Sequence, residues 1–430
     1  MVSRPEVAGT PGAPGLDDAL ARIGRLDGAL HAFTHLTPAS GGPGLLANWP
    51  VALKDNVEVE GEPLGLGTDV GGCRIGQLTA TVVRRLRDAG AAIVGRTHMV
   101  EYAFGGWGLN AALGAPRNPW DGRVHRVAGG SSSGAAVSVA AGMARLAVGT
   151  DTAGSVRMPA ALCGITGFKP SFGRYPADGV FPLAPSFDTV GLFARSVSDI
   201  ACADVVLAAT SKLGTPSLGG RILAVLDAGT WPVPVQPAVR QALDEAARTF
   251  AALGLRLQTT RPPFDLDTLM RDAGTLIAAE AWGVHGPAFA VDPSRYGAEM
   301  QRRLHAASCL GTVAVTAARS SRALAASQLE SWLNGPDAAI AVLLPTVPCS
   351  APALNEVSES GSPLGAFARW VNHAGGCAIS LPAGFDAEGL PLAIQLVAAG
   401  GRDADLLALA QAFQDSTRWH RRAPDLGWAT

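Results

Sequence analysis

Six short apolar runs recur along the chain, each closed off by glycine, proline or polar residues: VAL at 51–53, AAIVGRT at 91–97, RLAVGT at 145–150, RILAVL at 221–226, AAIAVLLP at 338–345 and LPLAIQLVA at 390–398. Short apolar runs bounded in this way suit strands buried on both faces of a sheet. Between them lie amphipathic stretches at helical spacing. In PAVRQALDEAARTFAALG, Val239, Leu243, Phe250 and Leu253 share one side and Gly254 supplies the stop, and in DADLLALAQAF the residues Leu406, Leu409, Ala410 and Phe413 fall in register. The alternation predicts an α/β fold with a mixed β-sheet covered by helices on both faces. CAISLPAGFDAEGLPLAIQLVA, 377–398, reads as two antiparallel strands around a glycine-containing turn, added to the same sheet. SKLGTPSLGG, 211–220, is the best candidate for a linker, although it need not divide domains.

A chain of 430 residues, 48% of them hydrophobic, can bury a large core, and that length suits two or three ordinary domains or one large one. Its net charge of −2 and the lack of any dense Lys/Arg run leave no electrostatic footprint for a polyanion, so no nucleic-acid partner is expected. MVSRPEVAGTPGAPGLDD has no charged start followed by an apolar stretch, and no segment approaches about 18 uninterrupted apolar residues. The expectation is a cytoplasmic protein with no membrane partner.

Cys73, Cys163, Cys202, Cys309, Cys349 and Cys377 lie far apart with no C-x-x-C, which points to small buried apolar residues rather than a disulfide framework or a zinc site. The histidines show no H-E-x-x-H, and the close pair His31 and His35 in HAFTHL reads as part of an ordinary helix. No metal and no cofactor is expected.

Among 34 basic residues only Lys54, Lys169 and Lys212 are lysines, so arginine serves wherever a surface cation suffices. Arginine cannot deprotonate in a protein, whereas a buried lysine can be neutral near pH 7 and act as a base. Lys54 follows the apolar run of PVALKDN, where such a shift arises; the alternative is a snorkelling strand-end lysine. Lys169, in GFKP, reads as a turn or packing residue, and Lys212, in a polar stretch, as an exposed one.

GGSSSG at 129–134 precedes AAVSVAAGMA, a run of small residues that can form a tightly packed helix, so Ser131, Ser132 and Ser133 stand at a predicted helix N-terminus. The loop lacks the G-K-[ST] of a phosphate-binding loop. GTDTAGSVRMP follows a predicted strand, and its turn can point several N–H groups at one place, so that Ser155 would have an oxyanion hole beside it. Ser155 needs a base. Neither serine motif contains a histidine, His125 being merely near in sequence, and the G-x-S-x-G elbow is absent, which disfavours a Ser-His-Asp triad and leaves Lys54 as the natural candidate.

PVALKDN, RNPWDGRVHRVAGGSSSGAAVSVAAG and GTDTAGSVRMPAALCGITGFKPSFGRYPADGVFPLAPSFDTVG together resemble the amidase signature family, whose triad is Ser, cis-Ser and Lys. The resemblance rests on three separated motifs in the right order from about residue 47 to 205, and is weaker but compatible at VLLPTVPCSAP and at GGCAISLPAGFDAEGLPLAIQLVA, 375–398. It implies one amidase domain over 1–430, with the signature core at about 47–205 and a part at about 220–430 completing the sheet and the substrate cleft. It further implies Lys54 as base, Ser131, after a cis peptide, as proton relay, and Ser155 as nucleophile, with the backbone N–H groups of Thr152, Ala153, Gly154 and Ser155 binding the oxyanion. The family usually reads G-T-D-T-G-G-S, and Ala153 stands here at the first glycine of the pair. If that position needs a positive φ, alanine is strained there. Asp151 and Arg157 read as structural partners, with orientation of a polar substrate as the other role for Arg157.

HMVEYAFGGWGLNAALG, 98–114, occupies the place where family members line the substrate cleft. Phe104 and Trp107 are candidates for an aromatic wall and Asn110 for a polar contact, with core packing as the alternative. Ser132 is a candidate for contact with substrate or the oxyanion region, and either Ser132 or Ser133 for bonding backbone at the helix start. The expected function is hydrolysis of a small-molecule amide, carbamate or urea-type C–N bond, with a homodimer left open. The rival is one component of a larger assembly, either the glutaminase of a tRNA-dependent amidotransferase or a non-catalytic member. Transamidase subunits tend to read G-S-D-T-G-G-S-I-R-Q-P, and Met158 stands here in place of their Gln.

Overall fold

The computed structural model describes residues 13–69, 74–210, 218–334 and 338–430. Cys73, Lys212 and most of the 211–220 stretch lie outside the described residues, as do the first twelve positions. The strands are β1 (Phe33–Leu36), β2 (Pro50–Lys54), β3 (Pro63–Leu64), β4 (Arg74–Ile75), β5 (Ala92–Thr97), β6 (Leu146–Asp151), β7 (Thr166–Lys169), β8 (Thr189–Ala194), β9 (Ile222–Leu226), β10 (Arg256–Thr260), β11 (Ala339–Pro345), β12 (Cys377–Phe385) and β13 (Pro391–Ala398). Eleven of them form one mixed sheet in the order β1-β5-β2-β6-β8-β7-β12-β13-β11-β9-β10, and β3 pairs with β4 alone. Each of the six apolar runs forms a strand of the large sheet.

The central strands of the sheet are buried on both faces, with side chains alternating from one face to the other along each. Val51 and Leu53 of β2, and Leu146 and Val148 of β6, pack into one apolar cluster. Ala52 and Ala147, between them, pack on the opposite side against the helices Leu16–Leu30 and Ser133–Ala140. The second of these helices is buried at every residue, and its small side chains let it approach closely: a Cβ built on Gly134 would fall 2.1 Å from Ala32 O.

HAFTHL is not helical. The helix Leu16–Leu30 ends at His31, whose φ of 52° reverses the chain, and the Asp27 carboxylate accepts the N–H groups of Ala32 and Phe33 before Phe33–Leu36 enters the sheet edge. Of the cysteines, Cys163, Cys202 and Cys377 are buried as expected, while Cys309 is exposed at the end of a surface helix.

Strands β2, β5 and β6 run parallel. Lys54 is the last residue of β2 and Asp151 the last of β6, so the carboxyl ends of neighbouring strands lie side by side. In open α/β sheets that is where ligands bind.

Candidate active site

Lys54 is fully buried, with Nζ 2.8 Å from Ser131 Oγ and 2.7 Å from Thr150 Oγ1. Burial pushes its ammonium down to about 7, against the opposing charges of Asp188 and Asp151. An amine poised there is neutral in a large fraction of molecules at neutral pH and can take a proton. The Gly130–Ser131 peptide is cis, and the loop is pinned on both sides: Gly130 N donates to Gly106 O at 2.7 Å, and Ser131 O accepts from Val100 N at 3.1 Å.

Ser132 and Ser133 are fully buried. Ser132 Oγ donates to Thr150 O at 3.3 Å and stands 3.4 Å from Thr150 N, and Ser133 Oγ donates to His98 O at 3.4 Å. They tie the loop to β6 and to the segment after β5.

The turn after β6 is organised by Asp151. Its carboxylate accepts Gly154 N at 2.8 Å, Val156 N at 3.3 Å, Arg157 Nε at 3.0 Å and Nη2 at 2.9 Å, and Asn372 Nδ2 at 3.0 Å. Burial opposes ionisation of Asp151, but the charge and hydrogen bonds of Arg157, with Lys169 and Asn372 adding to them, hold its carboxyl well below the usual carboxylate range. Arg157 also donates to Gln395 Oε1 and to Asn372 Oδ1, both at 2.6 Å, and is fully buried.

These bonds correct two expectations. Gly154 N–H already serves Asp151 and is not free for an oxyanion; the N–H groups of Thr152, Ala153 and Ser155 have no acceptor among the described residues. The positive φ in the turn, 114°, belongs to Gly154, and Ala153 is not among the residues with left-handed backbone, so the alanine is unstrained.

Ser155 opens with Thr152 and Ala153 onto a cavity of about 320 Å3 whose wall includes Phe104, Met158 and Arg369. Trp107, Asn110, Ser132 and Arg157 do not line it, which corrects their assignment as substrate contacts. Trp107 packs in an apolar cluster with Val127 and Met158. Asn110 spends all its hydrogen-bonding capacity internally: Nδ2 donates to Gly67 O and Met99 O at 2.7 and 2.9 Å, and Oδ1 accepts Ala112 N and Leu113 N at 3.0 and 2.9 Å. Ser132 and Arg157 are held by the bonds given above.

Sequence reasoning missed several groups. Thr150, the second partner of Lys54, sits in the quoted GTDT. Asp188 sits in the quoted SFDTVG; its Oδ1 accepts Thr152 Oγ1 at 2.5 Å and its Oδ2 accepts Leu183 N and Ala184 N at 2.8 and 2.9 Å. Burial raises its carboxyl to about 6. Arg303, Glu359 and Arg369 reach the cavity from far along the chain. Lys169 is buried and donates to Pro170 O at 2.7 Å. Among the described residues no group of three or more His, Cys, Asp or Glu is placed to hold a metal ion, and no helix is long and apolar enough to cross a membrane.

A family model described as Amidase matches residues 27–407. A glutamyl-tRNA(Gln) amidotransferase subunit of Gloeobacter violaceus is 32% identical, over 95% of this chain and 94% of that protein. The 2-amino-5-chloromuconic acid deaminase of Comamonas testosteroni is 34% identical, over 85% of this chain and 81% of that protein. Among solved structures, an amidase superposes with a TM-score of 0.84 at 29% identity, covering 93% of this chain and 95% of the other. A 6-aminohexanoate cyclic dimer hydrolase bound to its substrate superposes with a TM-score of 0.83 at 25% identity, covering 96% and 95%.

Proposed function

The chain belongs to the amidase signature family, and on that premise we propose that it hydrolyses a small-molecule carboxylic amide, or a related carbamate or urea-type C–N bond, with Ser155 as nucleophile, Ser131 as proton relay and Lys54 as base. The observation that carries the reading is the 2.8 Å contact between Lys54 Nζ and Ser131 Oγ, made by an amine whose ionisation burial has lowered to about 7. A serine hydroxyl is a weak nucleophile until a base removes its proton.

In the proposed mechanism neutral Lys54 accepts the Ser131 hydroxyl proton while Ser131 takes the proton of Ser155, whose Oγ bonds to the substrate carbonyl carbon. The carbonyl π electrons move to oxygen, and the N–H groups of Thr152, Ala153 and Ser155 hold the oxyanion. One donor of this kind is worth about 2.7–4 kcal/mol of barrier. As the C–N bond breaks, Ser131 returns a proton to the leaving nitrogen and regains one from Lys54. Water, activated by the same relay, then hydrolyses the acyl-enzyme. One domain performs the whole cycle without cofactor or metal.

The relatives named as amidotransferase subunits supply the second reading, an ammonia-supplying component of a tRNA-dependent assembly. Met158 in the cavity wall, where such subunits tend to carry Gln, favours the free-standing hydrolase. A screen of simple amides, aryl amides, carbamates and urea derivatives by amine or ammonia release tests the proposal. Turnover by the purified chain alone supports it; activity that appears only with a co-purifying tRNA-binding partner supports the second reading.

A further inference from the structure

Three charged side chains meet in the wall of the Ser155 cavity: Arg303, Glu359 and Arg369. Two of them are neutralised within the protein. Glu359 accepts Gly106 N and Trp107 N at 2.8 and 3.0 Å, and Arg303 lies 3.7 Å from Glu359 and 2.7 Å from Glu299, with its guanidinium 4.7 Å above the Phe104 ring.

Arg369 stands differently. Among the described residues no carboxylate lies within ion-pair distance of it, and its buried Nε has no hydrogen-bond partner. Burial and the like charge of Arg303 both act against its ionisation. A partly desolvated guanidinium without an anion is costly, and proteins retain such a group where something else supplies the anion.

Its position says where that anion sits. A Cβ built on Gly365 would lie 3.5 Å from Ala153 O and 3.7 Å from Arg369 Nη2, so the guanidinium faces the Ser155 turn across a single glycine. A planar guanidinium matches a carboxylate through two parallel N–H···O bonds. The cavity volume, about 320 Å3, lies at the small end of small-molecule sites, which run from about 300 to 1,000 Å3.

We propose that Arg369 receives a carboxylate carried by the substrate, so that the amide taken by this cavity is a short anionic one with its carboxylate a few bonds from the scissile carbonyl. Arg303 is not an equivalent seat, because Glu359 and Glu299 already satisfy it and Glu359 repels a carboxylate brought to that side. The inference rests on the hydrolase reading in taking the Ser155 cavity as the substrate's seat.

The test is calorimetric titration of a Ser155→Ala chain, which does not depend on turnover. The probes are succinamate, with its carboxylate on the acyl side, and N-acetylglycine, with its carboxylate on the amine side, each against its neutral counterpart, succinamide or N-acetylglycinamide. At least one acid binds about tenfold or more tightly than its neutral partner, the range expected of a charge-assisted bond. Arg369→Gln in the same background removes that preference and leaves the neutral amides within about twofold. Whichever acid shows the preference identifies the side of the amide that carries the carboxylate. Arg369→Lys keeps only part of it, and carries the test alone if the melting transition of Arg369→Gln is lost. Acids and neutral amides behaving alike, absence of binding by all four included, overturns the inference, as does a preference that survives the substitution. Failure of the hydrolase reading looks different: the chain with Ser155 in place turns over none of the four amides while the carboxylate preference persists.

Discussion

The backbone N–H of Gly154 donates to Asp151 Oδ1 at 2.8 Å, so the glycine inside the Ser155 turn is committed to the protein before any substrate arrives. The φ of 114° that makes this bond reachable is open to glycine, and a Cβ at that position would fall 2.6 Å from Ala368 Cβ. Gly154→Ala therefore both strains the backbone and collides with a neighbour, and should lower kcat/KM by about 100-fold or more, with a loss of about 1–3 kcal/mol of stability. Ala153→Gly, at the position where the family usually has glycine, keeps its N–H and relieves no strain, and should leave kcat/KM within about threefold. Steady-state kinetics and denaturant melts of the two variants check the contrast.

Lys54 sets the pH dependence. Its folded ionisation, lowered by burial to about 7, means that the base form appears as pH rises through about 7, so kcat/KM should climb about tenfold per pH unit below that point and level above it. The same shift has a stability consequence. Between about 7 and the ordinary value of 10.5 the unfolded chain binds a proton at this site that the folded chain does not, so stability rises with pH across that window. Lys54→Met removes both effects: kcat falls about 10²–10⁴-fold, and the melting temperature of the parent rises relative to that of the variant from pH 7 to pH 10. Lys54→Arg, which keeps a charge but cannot serve as a base, should also be inactive with its fold largely retained.

Burial strips the proton from Lys54, and the charge of Asp188 is the main influence holding it on. Asp188→Asn withdraws that charge and should move the acid limb of the pH–kcat/KM profile to lower pH, because Lys54 then deprotonates more readily. An unmoved or upward-shifted limb would exclude this electrostatic role.

Asp151 and Arg157 form a fully buried ion pair at 2.9 Å. Removing one partner leaves the other buried and uncompensated, so Arg157→Met should cost about 3–5 kcal/mol in urea unfolding. Because the folded carboxyl is depressed below its ordinary 3.8, the stability that it contributes is present above that value and is lost as pH falls through the folded one. Acid unfolding of the Arg157→Met chain should therefore begin at higher pH than that of the parent.

The strands that the sequence showed plainly are interior strands of the sheet, mostly buried on both faces, where apolar residues dominate and the polar ones gather toward the carboxyl ends. The edge strands were hidden for the complementary reason: β10, Arg256–Thr260, is nearly all exposed and reads as RLQTT, and β1 lies inside HAFTHL, whose spacing suggests a helix. Lys54, Ser131 and Ser155 were legible because a scarce lysine and two glycine-flanked serines are unusual in themselves. Arg369 and Arg303 were not, because in a chain that places arginine wherever a cation is needed one more arginine carries no signal. Trp107 and Asn110 were misassigned for want of their partners; an aromatic ring or an amide looks the same in sequence whether it faces a cavity or the core.

The central claim, that Ser155 forms a covalent acyl bond with help from Ser131 and Lys54, is tested most directly by peptide mass spectrometry after reaction with a serine-reactive fluorophosphonate. The account predicts one adduct, on the peptide carrying Ser155, absent from Ser155→Ala, and forming much more slowly in Lys54→Met. An adduct that persists on the Ser155→Ala chain, or labelling as fast without the lysine as with it, would contradict it.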